Sequence, residues 1–526
     1  MKRRIAGAAI ALTGLIVLGG CGADKETSAP EIEFPGNHVE ETAEAPAESA
    51  QPESAAPSET ETEQEEQMPE EITGSAPAVS ITRAQKEWYT EDGEILLFTA
   101  EASAVTLESG GSDALAAALS ERWPGIEGAD YEMAIRDAKD DYADREDKTG
   151  FYPYSTGTDI WLTRSDSTVI SFGEYDSDYM GGAHGFYGHS GTTFDVESGR
   201  ELALADLLSD AEGFYARAVD YIAKELEEDY GDELFPEYRE TVGETFDGDW
   251  PPKWYLNAAG IVLIYNPYEV GPYAMGVAEV LLPYNTFAEF IDAKYIAPHS
   301  ELMAQAPANE ELACLLGEDS VRLDVSSNEY SLNEVTVLSG LSSDEIDTFA
   351  YHRDSYVIKR EGRSFLITVE DYASDDNVIL VYEVTGGSVR WCDELGGGEV
   401  SMLMGTDRLS VRMTLNVFGT YGGRMIYALD SEGMLSQTSE VFEIDSEYEM
   451  TVMRELPVTM DGAERTLAVG ERLTITGTDN AGTAYFRLAG SGETGEIRYT
   501  RDEESRTLFI DGVSEFEYFD ALPYAG

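Results

Sequence analysis

The order of apolar and polar side chains predicts strands and helices in the first part of the chain. The stretch "GEILLFTAEASAVTLES" (93–109) alternates and is rich in branched residues, which predicts a β-strand. "SDALAAALSERW" (112–123) and the acidic "GADYEMAIRDAKDDYADRED" (128–147) are predicted to be helices. "TDIWLTRSDSTVISFGEYDSDY" (158–179) predicts two paired strands with a turn at Ser165–Ser167.

The same pattern continues towards residue 300. "GTTFDVESGREL" (191–202) predicts a hairpin, and 204–231 contains a helix with apolar residues at helical spacing. "WYLNAAGIVLIYNPYEVGPYAMGVAEVLLPY" (254–284) predicts two strands around a loop broken by Pro and Gly, and "NTFAEFIDAKYIAP" (285–298) predicts a closing helix. Helices combined with hairpin-linked strands indicate an α+β module with an antiparallel sheet, assigned to 81–300.

The later part of the chain is predicted to be mostly β. Strands of similar length recur over 318–450, with turns expected at Glu361–Gly362, Gly386–Gly387 and Gly422–Gly423, which suits a sandwich or barrel. Residues 451–526 consist of short strands and polar turns and weakly resemble the small SH3-like barrels of cell-wall proteins. The predicted fold class is therefore an α+β module followed by mostly-β C-terminal domains.

The N-terminal segment "MKRRIAGAAIALTGLIVLGGC" has the order of a secretory signal peptide over 1–21. Its apolar run is short for a membrane-spanning helix. The last four residues resemble a bacterial lipobox, which implies lipidation at Cys21 and a location on the extracytoplasmic face of the bacterial cell membrane. The alternative is an ordinary signal peptide in which the Cys occurs by chance.

Residues 22–80 differ from the rest of the chain in composition. They are mostly Glu, Ala, Pro, Ser and Thr, with few large apolar side chains. Such a segment buries too little surface to offset the entropy of ordering it. We therefore predict a disordered acidic tether that holds the folded part away from the membrane.

Charge and cysteine content restrict the partners and the chemistry. The formal net charge is −69 and the isoelectric point about 4.1, which argues against nucleic acid or anionic lipid headgroups as partners. A cationic partner fits this charge, and so does plain solubility outside the cell. After Cys21 only Cys314 and Cys392 remain, so a single disulfide is one option.

The glycine-rich stretch "GGAHGFYGHSG" (181–191) contains two of the five histidines, His184 and His189. The two imidazoles could bind a metal ion together with an acid such as Asp178, but no known zinc spacing is present. They could instead hydrogen-bond the turns around them, or contact a ligand together with Tyr187. We expect no catalytic residue, no metal and no cofactor.

The loop "NPYEVGPYAMG" (266–276) is the second candidate for function. Its two prolines fix φ and its glycines permit sharp turns, so Tyr268 and Tyr273 would be aromatic anchors on a rigid loop. That composition is typical of a binding hot spot. The alternative is a buried connection between strands, with the tyrosines in the core.

The stretches 181–208 and 254–284 also carry a family resemblance. Their GGAHG start, their TFDVESG turn and their NPYEVGPYA loop resemble the extracellular domain of RsiV-type anti-sigma factors. The same domain precedes the catalytic domain of PdaC-type polysaccharide deacetylases. In RsiV-type proteins this domain binds lysozyme through the "PYA" loop, so the resemblance implies that Pro272, Tyr273 and the nearby Tyr268 contact a ligand.

The chain departs from both relatives in ways that restrict what the resemblance implies. The lipobox and tether replace a cytoplasmic sigma-binding segment, and 301–526 lacks the histidine pattern of the deacetylase domain. We predict a surface-anchored lipoprotein without catalysis, whose module binds an extracellular protein such as lysozyme or an envelope glycan. The alternative is a metal-dependent enzyme that hydrolyses or deacetylates cell-wall glycan through His184 and His189.

Overall fold

The protein is mostly β, with several sheets. The structure, a computed structural model, describes residues 71–524 except 247–250, 328–332, 341, 347–349, 373–375, 445, 447 and 503. The predicted signal peptide, Cys21 and residues 22–70 lie outside the described residues. Within the described part, no helix is both long enough and apolar enough to cross a bilayer.

The first part of the fold combines strands with the longer helices. Its first five strands are β1 (Ala78–Tyr89), β2 (Leu96–Ser109), β3 (Tyr154–Asp166), β4 (Val169–Tyr179) and β5 (Phe186–Asp195). A separate three-stranded sheet follows, made of β6 (Lys253–Leu256), β7 (Gly260–Tyr265) and β8 (Ala278–Pro283). The α-helices of the described chain are α1 (Asp113–Arg122), α2 (Glu132–Asp144), α3 (Ala211–Tyr230), α4 (Tyr238–Glu244), α5 (Tyr284–Phe287) and α6 (Ala313–Leu316).

The remaining strands complete a large sheet and form others. They continue the chain as β9 (Leu302–Gln305), β10 (Arg322–Ser327), β11 (Asn333–Ser339), β12 (Ser342–Ile346), β13 (Ala350–Arg360), β14 (Arg363–Tyr372), β15 (Asp376–Glu383) and β16 (Arg390–Gly396). Strands β10, β11 and β12 form a small antiparallel sheet. Strands β9, β13, β14, β15 and β16 join β1 to β5 in one ten-stranded sheet, so this sheet includes strands from both sides of residue 300.

The C-terminal strands form an eleven-stranded sheet and a three-stranded one. They are β17 (Gly398–Gly405), β18 (Arg408–Asn416), β19 (Thr420–Leu429), β20 (Leu435–Gln437), β21 (Phe442–Ile444), β22 (Met450–Thr451), β23 (Leu456–Met460), β24 (Ala463–Leu467), β25 (Arg472–Thr478), β26 (Thr483–Leu488), β27 (Thr494–Arg498), β28 (Thr500–Arg501), β29 (Leu508–Ile510) and β30 (Val513–Ser514). Strands β28 to β30 form the small sheet. Strand β19 connects β18 to β21, and β21 pairs with β25, so one sheet spans residue 450.

Strand β3 is the branch point of the ten-stranded sheet. One edge pairs with β4 along most of its length, while the other edge pairs with β2 near Tyr154 and with β9 near Arg164. Strand β5 pairs with β4 as an outer strand. The sheet therefore presents one continuous surface across β1, β2, β3, β4 and β5.

The two faces of the large sheet pack into different cores. On β14, Phe365 and Ile367 belong to one core, while Leu366 belongs to a second one. This alternation follows from the period of two residues in a strand. Helices α1 and α2 cover one face of β2, where Leu115 and Leu119 pack with Ile160.

A polar node is buried where β3 meets the loops before β9. The Arg164 guanidinium donates to the Asp166 carboxylate at 2.7 Å, to Tyr284 Oη at 2.7 Å and to the Tyr295 carbonyl at 2.8 Å. Arg164, Asp166 and His299 are fully buried. Burial acts against the charged form of Asp166, but the neighbouring Arg164 and His299 hold the pKa of its carboxyl below the usual value.

The sequence predictions before residue 284 are largely confirmed. Ser112 caps α1 by accepting from the Leu115 N–H, and β3 and β4 meet at the predicted turn. Helix α3 buries apolar side chains at helical spacing, as predicted, among them Phe214, Ala218, Ile222 and Leu226. The segment 254–284 contributes to three strands rather than two. The Asn257 side chain accepts from the N–H groups of Ala259 and Gly260, and this bend separates β6 from β7.

Other predictions are wrong. The helix predicted over 285–298 is not continuous. The α-helix ends at Phe287, a 3-10 turn follows at Ala288–Phe290, and Ile291 is then extended and forms a bridge with Leu208. Gly422 and Gly423 lie inside β19 rather than in a turn, because side chains from β18 leave no room for a Cβ atom there. Residues 71–80, predicted to be part of the tether, belong to the fold, because Ile72 bonds to Pro298 and Ser300 and β1 begins at Ala78.

The two cysteines of the described chain are not joined. Cys314 and Cys392 are both free thiols, the first half-buried and the second buried. Burial raises the pKa of both thiols above the usual value. The disulfide that the composition permitted is therefore absent from this part of the chain.

Candidate functional site

The structure brings the predicted ligand-binding residues together. Tyr187 and His189 lie on β5, and His184 lies in the turn between β4 and β5. Tyr268, Pro272 and Tyr273 lie in the connection from β7 to β8. His184 and Pro272 are exposed, Tyr268 is 53% exposed, and the other three are half-buried. The glycine-rich stretch and the NPYEVGPYAMG loop therefore form one surface.

Aromatic rings connect these residues into a continuous path. Tyr273 lies at its centre, with ring centroids 4.8 Å from His184, 5.2 Å from Tyr187 and 5.8 Å from Tyr268. The path continues from Tyr187 to Tyr175 at 6.1 Å and from Tyr175 to His189 at 5.7 Å. It ends at Trp161, 5.6 Å from His189. We call this set the aromatic track: Trp161, Tyr175, Tyr187, His189, Tyr273, Tyr268 and His184.

The Asn266 side chain joins the loop to β5. Its Oδ1 accepts from the His189 N–H at 2.8 Å, and its Nδ2 donates to the His189 carbonyl at 3.0 Å. The amide thus replaces a neighbouring strand at the outer edge of β5. Gly188 makes this approach possible, since a Cβ atom there would lie 2.9 Å from Asn266 Nδ2. The first residue of the NPYE motif therefore explains why a glycine precedes His189.

Glu269 and a positive φ fix the shape of the loop. Glu269 accepts from the Asn266 N–H at 2.9 Å and pairs with Lys253 at 2.5 Å. The Tyr268 N–H donates to the Gly271 carbonyl at 2.9 Å, across a turn in which Tyr268 has φ 74°. A positive φ is uncommon for a bulky residue and costs free energy. The loop keeps an exposed tyrosine at a position that favours glycine.

His189 is held by a carboxylate. Its Nδ1 lies 2.9 Å from Glu279 Oε1, and Tyr255 Oη donates to the other oxygen of Glu279 at 3.0 Å. Because an ionised carboxylate only accepts, His189 carries its proton on Nδ1 in this pair. Burial and Glu279 raise the pKa of Tyr255 well above the usual value, so the phenol remains a donor. The ring of His189 is therefore fixed in orientation.

His184 is held by the main chain. Its Nδ1 lies 2.8 Å from the Gly185 carbonyl, which also accepts from Tyr273 Oη at 3.3 Å. A carbonyl only accepts, so Nδ1 of His184 carries the proton. Gly185 is required here, because a Cβ atom would lie 2.4 Å from the Asp178 carbonyl.

The predicted metal set is not brought together. The sheet register pairs His189 with Tyr175, whereas Asp178 lies at an odd separation from Tyr175 and hence on the opposite face of β4. The Nδ1 atoms of His184 and His189 have different partners. Across the described residues, no three His, Cys, Asp or Glu side chains are grouped so that they could hold a metal ion.

Polar side chains lie beside the aromatic track on the same sheet face. Arg83 on β1 contacts Glu101 on β2 at 2.5 Å and Asp159 on β3 at 3.4 Å. Asp159 pairs in register with Tyr175, so its side chain lies next to that ring. The surface therefore combines aromatic rings with planar charged groups on adjacent strands.

Three tyrosines of the track remain neutral donors. Burial raises the pKa of Tyr175, Tyr187 and Tyr273 above the usual value. Each phenol therefore keeps its proton at physiological pH. The rings offer apolar faces and hydroxyl groups rather than negative charge.

Sequence reasoning did not identify Asn266, Glu279, Trp161 or Tyr175 as site residues. Trp161 and Tyr175 were assigned to strands, but nothing indicated that pairing would place both beside His189. The usable signal was the alternation in "GEYDSDY", which places Tyr175 and Ser177 on one face. Asn266 precedes a proline in a loop, which suggests a turn rather than a contact with a distant strand.

Comparison with known families matches one segment. Residues 205–285 match the family described as "Protein of unknown function (DUF3298)". The match includes Tyr268, Pro272 and Tyr273 but not the stretch with His184 and His189. No curated protein is significantly similar to the chain.

Two solved structures of the same family align with part of the chain. A DUF3298 family member from Bacteroides fragilis NCTC 9343 is 19% identical, with a TM-score of 0.32, over 42% of this chain and 95% of that one. A DUF3298 family protein from Pseudomonas aeruginosa PAO1 is 15% identical, with a TM-score of 0.29, over 41% of this chain and 94% of that one.

Proposed function

We propose that this protein is an extracellular ligand-binding protein without catalytic activity, and that Tyr268, Tyr273, His184 and Tyr187 contact the ligand. The observation that carries the proposal is the cluster of four rings centred on Tyr273, on a surface that includes exposed Tyr268 and His184. Large aromatic side chains at a well-ordered surface supply most of the binding energy in many interfaces.

Preorganisation supports this proposal. Asn266, Glu269 and the Gly185 carbonyl hold the loop and the turn in one arrangement before any ligand arrives. A surface fixed in this way loses little conformational entropy on binding. The positive φ of Tyr268 fits the same role, because strained residues tend to be kept where they serve a function.

The ligand is a macromolecule outside the cell, and two classes are expected. A lysozyme-like protein follows from the resemblance of the sequence to RsiV-type domains. An envelope glycan follows from the envelope location that the N-terminal segment predicts. The net charge of −69 would speed encounter with a cationic protein and would make that binding sensitive to salt.

The test uses the full chain with two probes, lysozyme and isolated cell-wall sacculi. Tyr273→Ala and Tyr268→Ala are expected to weaken retention of whichever probe binds by about tenfold or more. Tyr351→Ala is the matched control, since Tyr351 is 48% exposed on β13, away from the track. If neither probe binds, or if both site variants bind like the control variant, the proposal fails.

We further propose that Cys21 is lipidated and anchors the chain to the extracytoplasmic face of the cell membrane. The support is the basic start, the apolar run and the "LGGC" ending of the N-terminal segment. Cys21→Ser should shift the protein from the membrane fraction to a soluble one and abolish labelling with a radioactive fatty acid. Unchanged labelling would contradict the anchor.

We also infer an α+β module over 81–300. Within the described residues, every helix longer than four residues lies in this range. The enzyme alternative, a glycan hydrolase or deacetylase acting through His184 and His189, gains no support from the described geometry. The two imidazoles face different partners, and Asp178 lies on the other face of β4.

A further inference from the structure

The sheet face that carries the aromatic track extends well beyond the cluster of four rings centred on Tyr273, which we call the tyrosine cluster. Its register rows run from β1 and β2 through β3 and β4 to β5, and they place Asp159, Tyr175 and His189 side by side. Helices α1 and α2 pack on the opposite face, where Ala100 and Ala138 share a core. The face of Tyr175 is thus the one that these helices leave uncovered.

Strand β6 bounds this face at one end. The Leu256 N–H donates to Ser171 Oγ at 2.9 Å, and the Trp254 carbonyl leaves no space for a Cβ atom at Gly191. The NPYEVGPYAMG loop lies along the β5 edge, where Asn266 is bonded to His189. The face is therefore bordered by β6 at one end and by the NPYEVGPYAMG loop along the β5 edge.

The rings on this sheet face are linked by successive neighbour contacts. Successive centroids from Trp161 through His189, Tyr175 and Tyr187 to Tyr273 are 5.6, 5.7, 6.1 and 5.2 Å apart. Trp161 lies directly against Gly173, where a Cβ atom would meet the indole at 2.3 Å. A row of rings at this spacing suits an extended ligand that places one unit after another over successive rings.

The polar groups beside the rings suit hydroxyl groups. Arg83, Glu101 and Asp159 form a linked set of planar donors and acceptors, and all three remain partly exposed. Pyranose rings present C–H faces that pack on aromatic rings, and pairs of adjacent hydroxyl groups that bind carboxylates and guanidinium groups at two points. The combination on this face matches both parts of a sugar.

The charge around this face restricts the charge of the glycan that can bind. Within the described residues, no Lys or Arg side chain lies over a ring of the track. Arg83, the cation beside the track, is already paired with two carboxylates, and the chain as a whole carries −69. An acidic polysaccharide would therefore be repelled, whereas an uncharged one meets no such penalty.

We propose that the sheet face of β1 to β5 binds an uncharged, β-1,4-linked glycan chain, whose sugar rings pack along the aromatic track from Trp161 to Tyr273 while Asp159 and Glu101 bind its hydroxyl groups. β-1,4-Linked chains are extended ribbons with flat C–H faces, which is the form that a row of rings can contact. This inference rests on the proposed function, because it uses the same tyrosine cluster, and it names the ligand class.

The test titrates the full chain with the β-1,4-linked hexamer of N-acetylglucosamine by isothermal titration calorimetry. The hexamer should bind at least about tenfold more tightly than the dimer, because the dimer spans fewer rings. Tyr175→Ala and Asp159→Asn should each weaken hexamer binding by about tenfold. Equal affinity for dimer and hexamer, or no binding of either, would overturn the proposal.

Matched controls separate binding from folding. Tyr485→Ala removes a half-buried tyrosine from the middle of β26, in another sheet, and should leave hexamer binding unchanged. Asp159→Asn keeps the size of the side chain, so it remains informative if Tyr175→Ala unfolds. Thermal melting of each variant identifies unfolded protein.

The two proposals can fail separately. Suppose that lysozyme binds, that Tyr273→Ala abolishes this binding, and that the hexamer does not bind. The rings around Tyr273 then bind a protein, and only the glycan inference is overturned. The same holds if sacculi bind while the hexamer does not. If none of the probes binds, both proposals are overturned.

Discussion

The Arg164 node and the aromatic track both begin on β3, yet they use polar side chains in opposite ways. In the node, Arg164 and Asp166 have no exposed side-chain surface, and the donors of Arg164 are directed at protein acceptors. In the track, His189 and the Glu279 carboxylate that holds it are 16% and 13% exposed, and Tyr268 and His184 face solvent. Complete burial with satisfied partners marks a structural role, whereas ordered but accessible groups mark a binding surface.

The largest effect is expected in the node. Arg164→Met should lower the free energy of unfolding by about 3–5 kcal/mol, because it leaves the Asp166 carboxylate buried without its main partner. Arg136→Met is the control, since Arg136 is 66% exposed and pairs with an exposed Asp137, and it should change stability by less than about 1 kcal/mol. Urea unfolding measures both. If both variants lost less than about 1 kcal/mol of unfolding free energy, the Arg164 node would not be a structural element distinct from the surface.

The next effect concerns the contact between the loop and β5. Asn266→Ala should cost about 1–3 kcal/mol of stability, because both main-chain groups of His189 lose their partner. Asn285→Ala, which removes a bond from Asn285 to the exposed Glu311 carbonyl, should cost less. Urea unfolding measures the stability loss of both variants. A loss for Asn266→Ala no larger than that of the control would show that the amide does not hold the loop.

A pH effect should separate the node from the surface. Burial lowers the pKa of His299 below its usual value despite the nearby Asp166, so the folded state binds fewer protons than the unfolded state. In the unfolded chain the pKa of this histidine is about 6.5. The stability that the difference contributes is present above that pH and is lost as the pH falls towards the pKa of His299 in the folded state. Stability should fall from pH 7.5 to 5.5, and the fall should be smaller in His299→Asn. An equal fall in both proteins would contradict this.

The smallest effect is expected at Tyr268. Tyr268→Asn should change stability by less than about 1 kcal/mol, because asparagine tolerates the positive φ while the contact with Tyr273 is lost. Probe binding should fall in the same variant. A destabilisation of several kcal/mol would instead place Tyr268 among the structural residues.

Much of the local structure could be predicted, because it depends on neighbouring residues. The alternation in 93–109 and 158–179 and the cap at Ser112 gave the correct elements. The helix expected over 285–298 failed because Ile291 bonds to Leu208, a partner that helical spacing does not reveal. A Gly–Gly pair predicts a turn, but Gly422 and Gly423 serve close packing within β19.

The candidate site was only half predictable for the same reason. Tyr268, Tyr273, His184, Tyr187 and His189 could be selected from two local motifs. Their connection through Asn266 joins residues 77 positions apart, and the Glu279 contact joins residues 90 apart. Trp161 and Tyr175 enter the site only through the register of β3, β4 and β5. Long-range pairing of this kind is not encoded in a short motif.

Hydrogen–deuterium exchange of the full chain, with and without saturating N-acetylglucosamine hexamer, tests most directly the claim that the face of the aromatic track binds a glycan. The account predicts slower exchange in 155–161, 173–179, 184–191 and 266–276, with no change in 451–502. Protection confined to the C-terminal sheets, or no protection at all, would contradict it.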